Sequence, residues 1–199
     1  LATSVQGAGR VDRSVAADRY ADGTAVSLAA VPEKGWEFIG WTGAVSGTEP
    51  QANLTLDRDQ AVTAVFRPVF AAVPAQSVDE RLTWQLKLAA GDPSAVGRKL
   101  SYRLVSGPAG MTVDATSGAV SWTPGEADGG QTYDLQFAVT DTTDTAVVNQ
   151  LAVRLTVAKL NHAPTLAAVP NASIPELSAW TYSLAGQDLD VPTQTVAYA

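Results

Sequence analysis

Residues 68–103, which begin "PVFAAVPAQSVDERLTWQLKL", return 96 positions later as 164–199, which begin "PTLAAVPNASIPELSAWTYSL". The two copies align over 36 positions without a gap, and twelve are identical, among them Pro74/Pro170, Glu80/Glu176, Trp84/Trp180, Asp92/Asp188 and Tyr102/Tyr198. A chain duplicated at a fixed spacing is built from repeated modules. The spacing fits one β-sandwich of about 100 residues. It predicts a whole module over 68–163 and roughly the first third of another over 164–199. A third of a sandwich cannot close a core, so residues beyond Ala199, a neighbour or a partner are expected to complete it.

The patterning between turns is that of strands. "YDLQFAVTD" places Tyr133, Leu135, Phe137 and Val139 on one face, with Asp134, Gln136 and Thr140 on the other. "NQLAVRLTV" sets Leu151, Val153, Leu155 and Val157 against Gln150, Arg154 and Thr156. "GTAVSLAAVP" and "LSYRL" alternate in the same way. Period two means one face inward and one outward. No stretch of ten or more residues carries a convincing helical period. With 16 Gly and 11 Pro spaced as turns, the expected class is all-β. Trp84, Tyr102, Trp122, Tyr133, Leu135, Phe137, Val139, Leu151, Val153 and Leu155 are expected to face one another between two sheets.

Composition removes several functions. A net charge of −7 and a pI near 4.6 disfavour binding to phosphate backbones. No apolar run approaches the roughly 18–20 residues of a membrane span. There is no cysteine, hence neither a disulfide framework nor a thiolate metal site. The chain opens on Leu1 without a leader-like segment, which reads as a piece of a longer protein. The single histidine, His162, falls in a linker, and no nucleophile elbow, P-loop or H-E-x-x-H motif occurs. The 20 acidic residues lie mainly in turns such as "DGT", "DRD" and "DTTD", where Asp serves the backbone. An enzyme is not expected.

Two resemblances sharpen this. The stretch "LVSGPAGMTVDATSGAVSWTP" (104–124), then "YDLQFAVTD", then "NHAPTL" opening the next copy, resembles the cadherin-like immunoglobulin repeats of bacterial surface proteins. The order and spacing agree over 68–199. The resemblance implies tandem sandwiches, the last one truncated. In the first 66 residues, "VQGAGRV", "YADGTAVSLAAVPEKGWEFIGWTG" and "LTLDRDQAVTAVF" resemble the divergent internalin-type B repeat. That family implies a small β-grasp-like sheet. The expected domains are thus 1–67, 68–163 and 164–199, with limited proteolysis cutting near 67 and 163.

"GWEFIGWTG" holds two of the five tryptophans. A domain this small needs a few large side chains in its core. The expectation is that Phe38 and Trp41 are core and Trp36 is partly exposed. The other reading is a sugar-stacking platform, with Glu33, Glu37 and Thr42 as the nearby polar groups.

Calcium is the one cofactor the chain suggests. "GQDLDVP" offers Asp188 and Asp190 two residues apart, and hard cations take several carboxylate oxygens. In cadherin-like proteins the junction between modules binds calcium. Carried over, the resemblance implies Glu80, Glu126 or Asp128, Asn161, and Asp188 with Asp190 as ligands. The linker "KLNHAP" keeps only Asn161 of the family's acidic string, and Asp92 with Ser94 makes the first copy's site weaker. The competing reading is that these are solvated turn carboxylates. "NLT" at Asn53 and "NAS" at Asn171 match glycosylation sequons but mean little in a bacterial-looking chain.

The functional expectation is a non-catalytic structural or adhesive spacer of a large secreted or surface-anchored bacterial protein. Its partners would be neighbouring domains of the same chain, with glycans or another surface protein as further candidates, and neither nucleic acid nor membrane. The alternative is a glycan-binding accessory module of a secreted polysaccharide-degrading enzyme.

Overall fold

The computed structural model describes residues 1–91, 99–188, 190 and 197; Asp92, Ser94 and Tyr198 lie outside them. Among the described residues its regular elements are strands, apart from one short 3-10 turn at Glu126–Asp128. The strands of the first region are β1 (Ala2–Gln6), β2 (Gly9–Arg13), β3 (Thr24–Pro32), β4 (Trp36–Gly43), β5 (Gln51–Leu56) and β6 (Ala61–Pro68). They form two three-stranded sheets, β2-β3-β5 and β1-β6-β4, with β1 parallel to β6. Both sheets alternate inward and outward residues. Val26, Leu28 and Ala30 of β3 face Val62, Ala64 and Phe66 of β6 across one buried core. Gly7 and Gly9 lie against Phe66: a Cβ on Gly7 would sit 2.1 Å from its carbonyl oxygen, and one on Gly9 2.5 Å from its ring. Gly7 also holds a φ of 77°, a conformation that favours glycine.

The second region contributes β7 (Gln76–Asp79), β8 (Trp84–Lys87), β9 (Leu100–Ser106), β10 (Thr112–Val113), β11 (Ala119–Trp122), β12 (Thr132–Asp141) and β13 (Asp144–Ala158). Sheet β7-β13-β12-β9 faces sheet β10-β11-β8. Trp84 and Trp122 stand opposite each other in register, and Trp122 meets Tyr133 edge-on at 5.2 Å. Trp84, Tyr102, Trp122, Leu135, Phe137, Val139, Val153 and Leu155 are buried in one cluster, with Tyr133 and Leu151 packed against it.

The two cores meet. Val147 of β13 is buried in the first region's cluster, and Leu100 packs against both. The Asn149 side-chain amide donates to the Pro68 carbonyl at 2.8 Å. Position 67 therefore lies inside β6, next to a buried Pro68, rather than in an open linker. This contact also corrects the expectation for Trp36. It is only 6% exposed, and Phe38 is the half-buried one. Gly91, beyond the junction, lies beside Trp36: a Cβ there would be 3.4 Å from the indole nitrogen. Trp41 is buried as expected, its indole N–H bonded to the Glu49 carbonyl at 2.9 Å. Neither indole presents a face for stacking a sugar.

After the linker come β14 (Thr165–Leu166) and β15 (Gly186–Gln187), paired antiparallel. This segment repeats the local structure of 68–91. The Leu166↔Gly186 pairing matches the Phe70↔Ala90 bridge, and Ala167 N–H to the Ala185 carbonyl matches Ala71 to Ala89.

Candidate cation site at the second junction

Where 68–163 passes into 164–199, acidic groups converge. Glu80 follows β7, Glu126 opens the 3-10 turn, His162 lies in the linker and Asp190 follows β15. One ligand atom from each of the four lies within 4.8 Å of all the others. Glu80 is fully buried and Asp190 is 2% exposed. A buried carboxylate is tolerated only when it is paired or hydrogen-bonded.

Each of these carboxylates is answered by nitrogen. Glu80 Oε1 accepts the Leu160 N–H at 2.9 Å, and its Oε2 lies 3.4 Å from Lys159 Nζ. Glu126 Oε1 accepts from Lys159 Nζ at 2.6 Å, and its Oε2 lies 2.7 Å from Arg81 Nη2. Asp190 takes the His162 backbone N–H on both oxygens and His162 Nδ1 at 3.0 Å. Nδ1 must carry the proton in that contact, because a carboxylate only accepts. Burial pushes the Asp190 carboxyl up, but the ring and backbone N–H of His162 outweigh it and hold the group below the usual carboxylate range. The hydrogen bond to Glu126 raises the Lys159 ammonium above the ordinary lysine value.

The floor of the site is backbone. A Cβ on Gly129 would sit 1.8 Å from Glu80 Oε2 and 2.8 Å from Lys159 Cδ. Only glycine lets the turn lie this close to both side chains.

Of the ligands expected from the sequence, Glu80 and Asp190 come together, with Glu126 as the third carboxylate. Asp128 turns away: its Oδ2 accepts the Gly125 N–H at 2.7 Å and its Oδ1 binds the Tyr133 hydroxyl. That bond, chiefly, pushes the Tyr133 hydroxyl up to about 12. Asp188 is half-buried, and its Oδ1 accepts the Asp190 N–H at 2.9 Å. Asn161 is exposed, with its side-chain amide 3.4 Å from the His162 carbonyl. Lys159, Arg81 and His162 join the site without being expected there. The signal for Lys159 is in the sequence, as the first letter of a linker, "KLNHAP", that departs from an acidic string.

In kind, the donor set suits a hard divalent cation, since three carboxylates converge. In number it falls short of the six to eight oxygens calcium takes, and one ammonium already sits on two of the three.

Family models match both regions in order. Residues 1–70 match the family described as "Divergent InlB B-repeat domain", and residues 62–158 match the one described as "Putative Ig domain". Residues 1–158 thus form a divergent InlB B-repeat followed by an Ig domain. The two matches overlap in β6, the strand that enters the buried contact with the Ig domain. No curated protein matches the chain. Among solved structures it is similar to "Protocadherin Gamma B2 extracellular cadherin domains 3-6", at 14% identity, 80% of this chain, 52% of that one and a TM-score of 0.42. It is also similar to the protocadherin GammaB4 extracellular domain, at 16% identity, 72% of this chain, 21% of that one and a TM-score of 0.38. A third is "mouse clustered PcdhgC3 EC1-3", at 14% identity, 77% of this chain, 54% of that one and a TM-score of 0.37. The chain spans about half or less of each of these chains. Both matched domains are repeat types of the kind typical of bacterial surface proteins. Among the described residues, no helix is long and apolar enough to cross a membrane.

Proposed function

We propose that this chain is a non-catalytic spacer within a larger secreted or cell-surface bacterial protein, made of three units at 1–67, 68–163 and 164–199. The observation that supports this most is the buried contact of Val147 and Asn149 with the B-repeat. It joins two small modules into one stiff unit, which is what a spacer needs. The partners are then neighbouring domains of the same longer chain.

The glycan-binding alternative has one observation in its favour. Trp180 and Tyr182 are stacked, 5.9 Å apart and 5° from parallel, with 48% and 41% of their surface exposed. Trp180 is the repeat equivalent of Trp84, which is buried in the Ig core, so an inward-facing role in its own sandwich is favoured. Retention on insoluble polysaccharides decides between the readings. The spacer is expected to elute with an unrelated β-protein. Retention that disappears in Trp180→Ala/Tyr182→Ala would replace the spacer reading with the glycan one.

At the second junction the same reading includes weak calcium binding by Glu80, Glu126 and Asp190, with Asp188 and Asn161 beside them. Calcium would supply a cross-link between the Ig domain and the next module. With so few free oxygens, affinity belongs in the roughly 10⁻⁴–10⁻³ M range of extracellular modules. Melting in millimolar calcium against chelator tests this. A shift that Asp188→Ala/Asp190→Ala abolishes is expected, and no shift, or an equal one in the variant, sinks it.

A further inference from the structure

We propose that Lys159 is the resident cation of the second junction, so that the junction closes without a divalent ion. Calcium binding at this junction rests on the function proposed above; closure by Lys159 does not. Three observations converge. The Lys159 ammonium contacts two carboxylates from separate segments, Glu80 after β7 and Glu126 in the 3-10 turn. Its stem is fitted to the site, with Cδ close enough to Gly129 that no side chain fits between them. The residue after it in the chain, Leu160, gives its N–H to the other oxygen of Glu80. The linker therefore enters the site twice in succession, once as a charge and once as a backbone donor.

Charge explains why this matters. Glu80 has no exposed surface, and the cation that contacts it is Lys159. Three converging carboxylates would otherwise repel one another and leave the linker undocked. Lys159 and Arg81 offset two of the three charges, and His162 holds the third by hydrogen bonds. A divalent ion entering here meets a site whose charge is already largely met, and it must displace a tethered competitor. Lys159 thus sets the site's preference for its own ammonium over a dissolved cation.

Hydrogen exchange of the Leu160 amide on the full chain tests this, in chelator and in millimolar calcium. For the unaltered chain, protection in chelator is expected to equal or nearly equal that in calcium. In Lys159→Met, protection in chelator should fall by roughly tenfold or more, because removing one partner strands the other's buried charge. Lys159→Arg should restore it. If calcium restores protection to Lys159→Met, this proposal stands, because the carboxylates then take a dissolved cation only once the tethered one is gone. If calcium does nothing to either protein while Lys159→Met still loses protection, the tethered cation stands and calcium falls. If Lys159→Met is as protected in chelator as the unaltered chain, or the unaltered chain needs calcium, the proposal is overturned.

Discussion

Arg81 and Leu177, 96 residues apart, hold the same left-handed backbone, with φ of 66° and 65°. They are the only non-glycine residues at positive φ among those described. Such a conformation costs a side-chain-bearing residue about 1–3 kcal/mol and persists where the surroundings dictate it. The surroundings here are a tight reversal after a glutamate. Leu82 N–H bonds the Asp79 carbonyl at 3.2 Å, and Ser178 N–H bonds the Pro175 carbonyl at 3.2 Å. In the Ig domain the Arg81 N–H also bonds the Pro124 carbonyl at 2.8 Å, which brings its guanidinium to Glu126. The strained turn therefore positions two members of the charge cluster, Glu80 and Arg81.

Gly129→Ala should destabilise the Ig domain by about 1–3 kcal/mol, the usual cost of forcing atoms into a filled space. Its φ of −57° suits alanine, so the penalty is steric and comes from Glu80. Urea denaturation of the single variants and of Gly129→Ala in a Glu80→Ala background measures the coupling. The alanine is expected to be much cheaper once Glu80 is gone.

Phe137→Ala should cost about 3–5 kcal/mol. Phe137 is fully buried at the centre of β12, with β13 on one side and β9 on the other. Thermal melting reads it. A variant that melts like the parent would mean that the inward face of β12 is assigned backwards.

The strand face of β12 was legible because alternation on a sheet with one buried face leaves a period of two. The repeat was legible because identical residues rebuild the same turn and pairing. What escaped was set by contacts between modules. Trp36 looks like a half-exposed residue of a small domain until Gly91, from beyond the junction, lies beside its indole nitrogen. Lys159 looks like a linker charge until Glu80 and Glu126 converge on it. Neither contact has a period, and both join residues more than 30 positions apart.

Limited proteolysis should spare the region around 67 and cut first around the second linker, where residues 163–180 are exposed and almost without strand pairing. Val147→Ala should loosen the B-repeat although Val147 belongs to a strand of the Ig domain. Losing two methyl groups from that core costs about 2 kcal/mol at roughly 0.8 per carbon plus a cavity term. Amide exchange of β3 and β6 would report it, and cleavage near 67–70 should then appear. An unchanged B-repeat would show that the two modules fold independently.

Asp114→Ala should lower the melting temperature of the Ig domain near neutral pH, and the deficit should vanish in acid. Asp114 opens the turn "DATSG" between β10 and β11. Its Oδ1 accepts the Ser117 N–H at 2.6 Å and the Thr116 N–H at 3.2 Å, while Gly118, at a φ of 70°, closes the turn onto the Asp114 carbonyl at 2.8 Å. These bonds favour the ionised form, led by the Ser117 N–H, and hold the carboxyl below its ordinary range. A folded-state value below the unfolded one means the contribution is fully present above the unfolded value, about 3.9. It is lost as the pH falls through the folded value beneath it. Subtracting the variant's melting curve from the parent's at each pH cancels the other carboxylates. The difference should be constant from neutral pH down to about 4 and shrink below that. A difference that persists unchanged in strong acid would show that the Asp114 side chain acts through packing rather than through its charge.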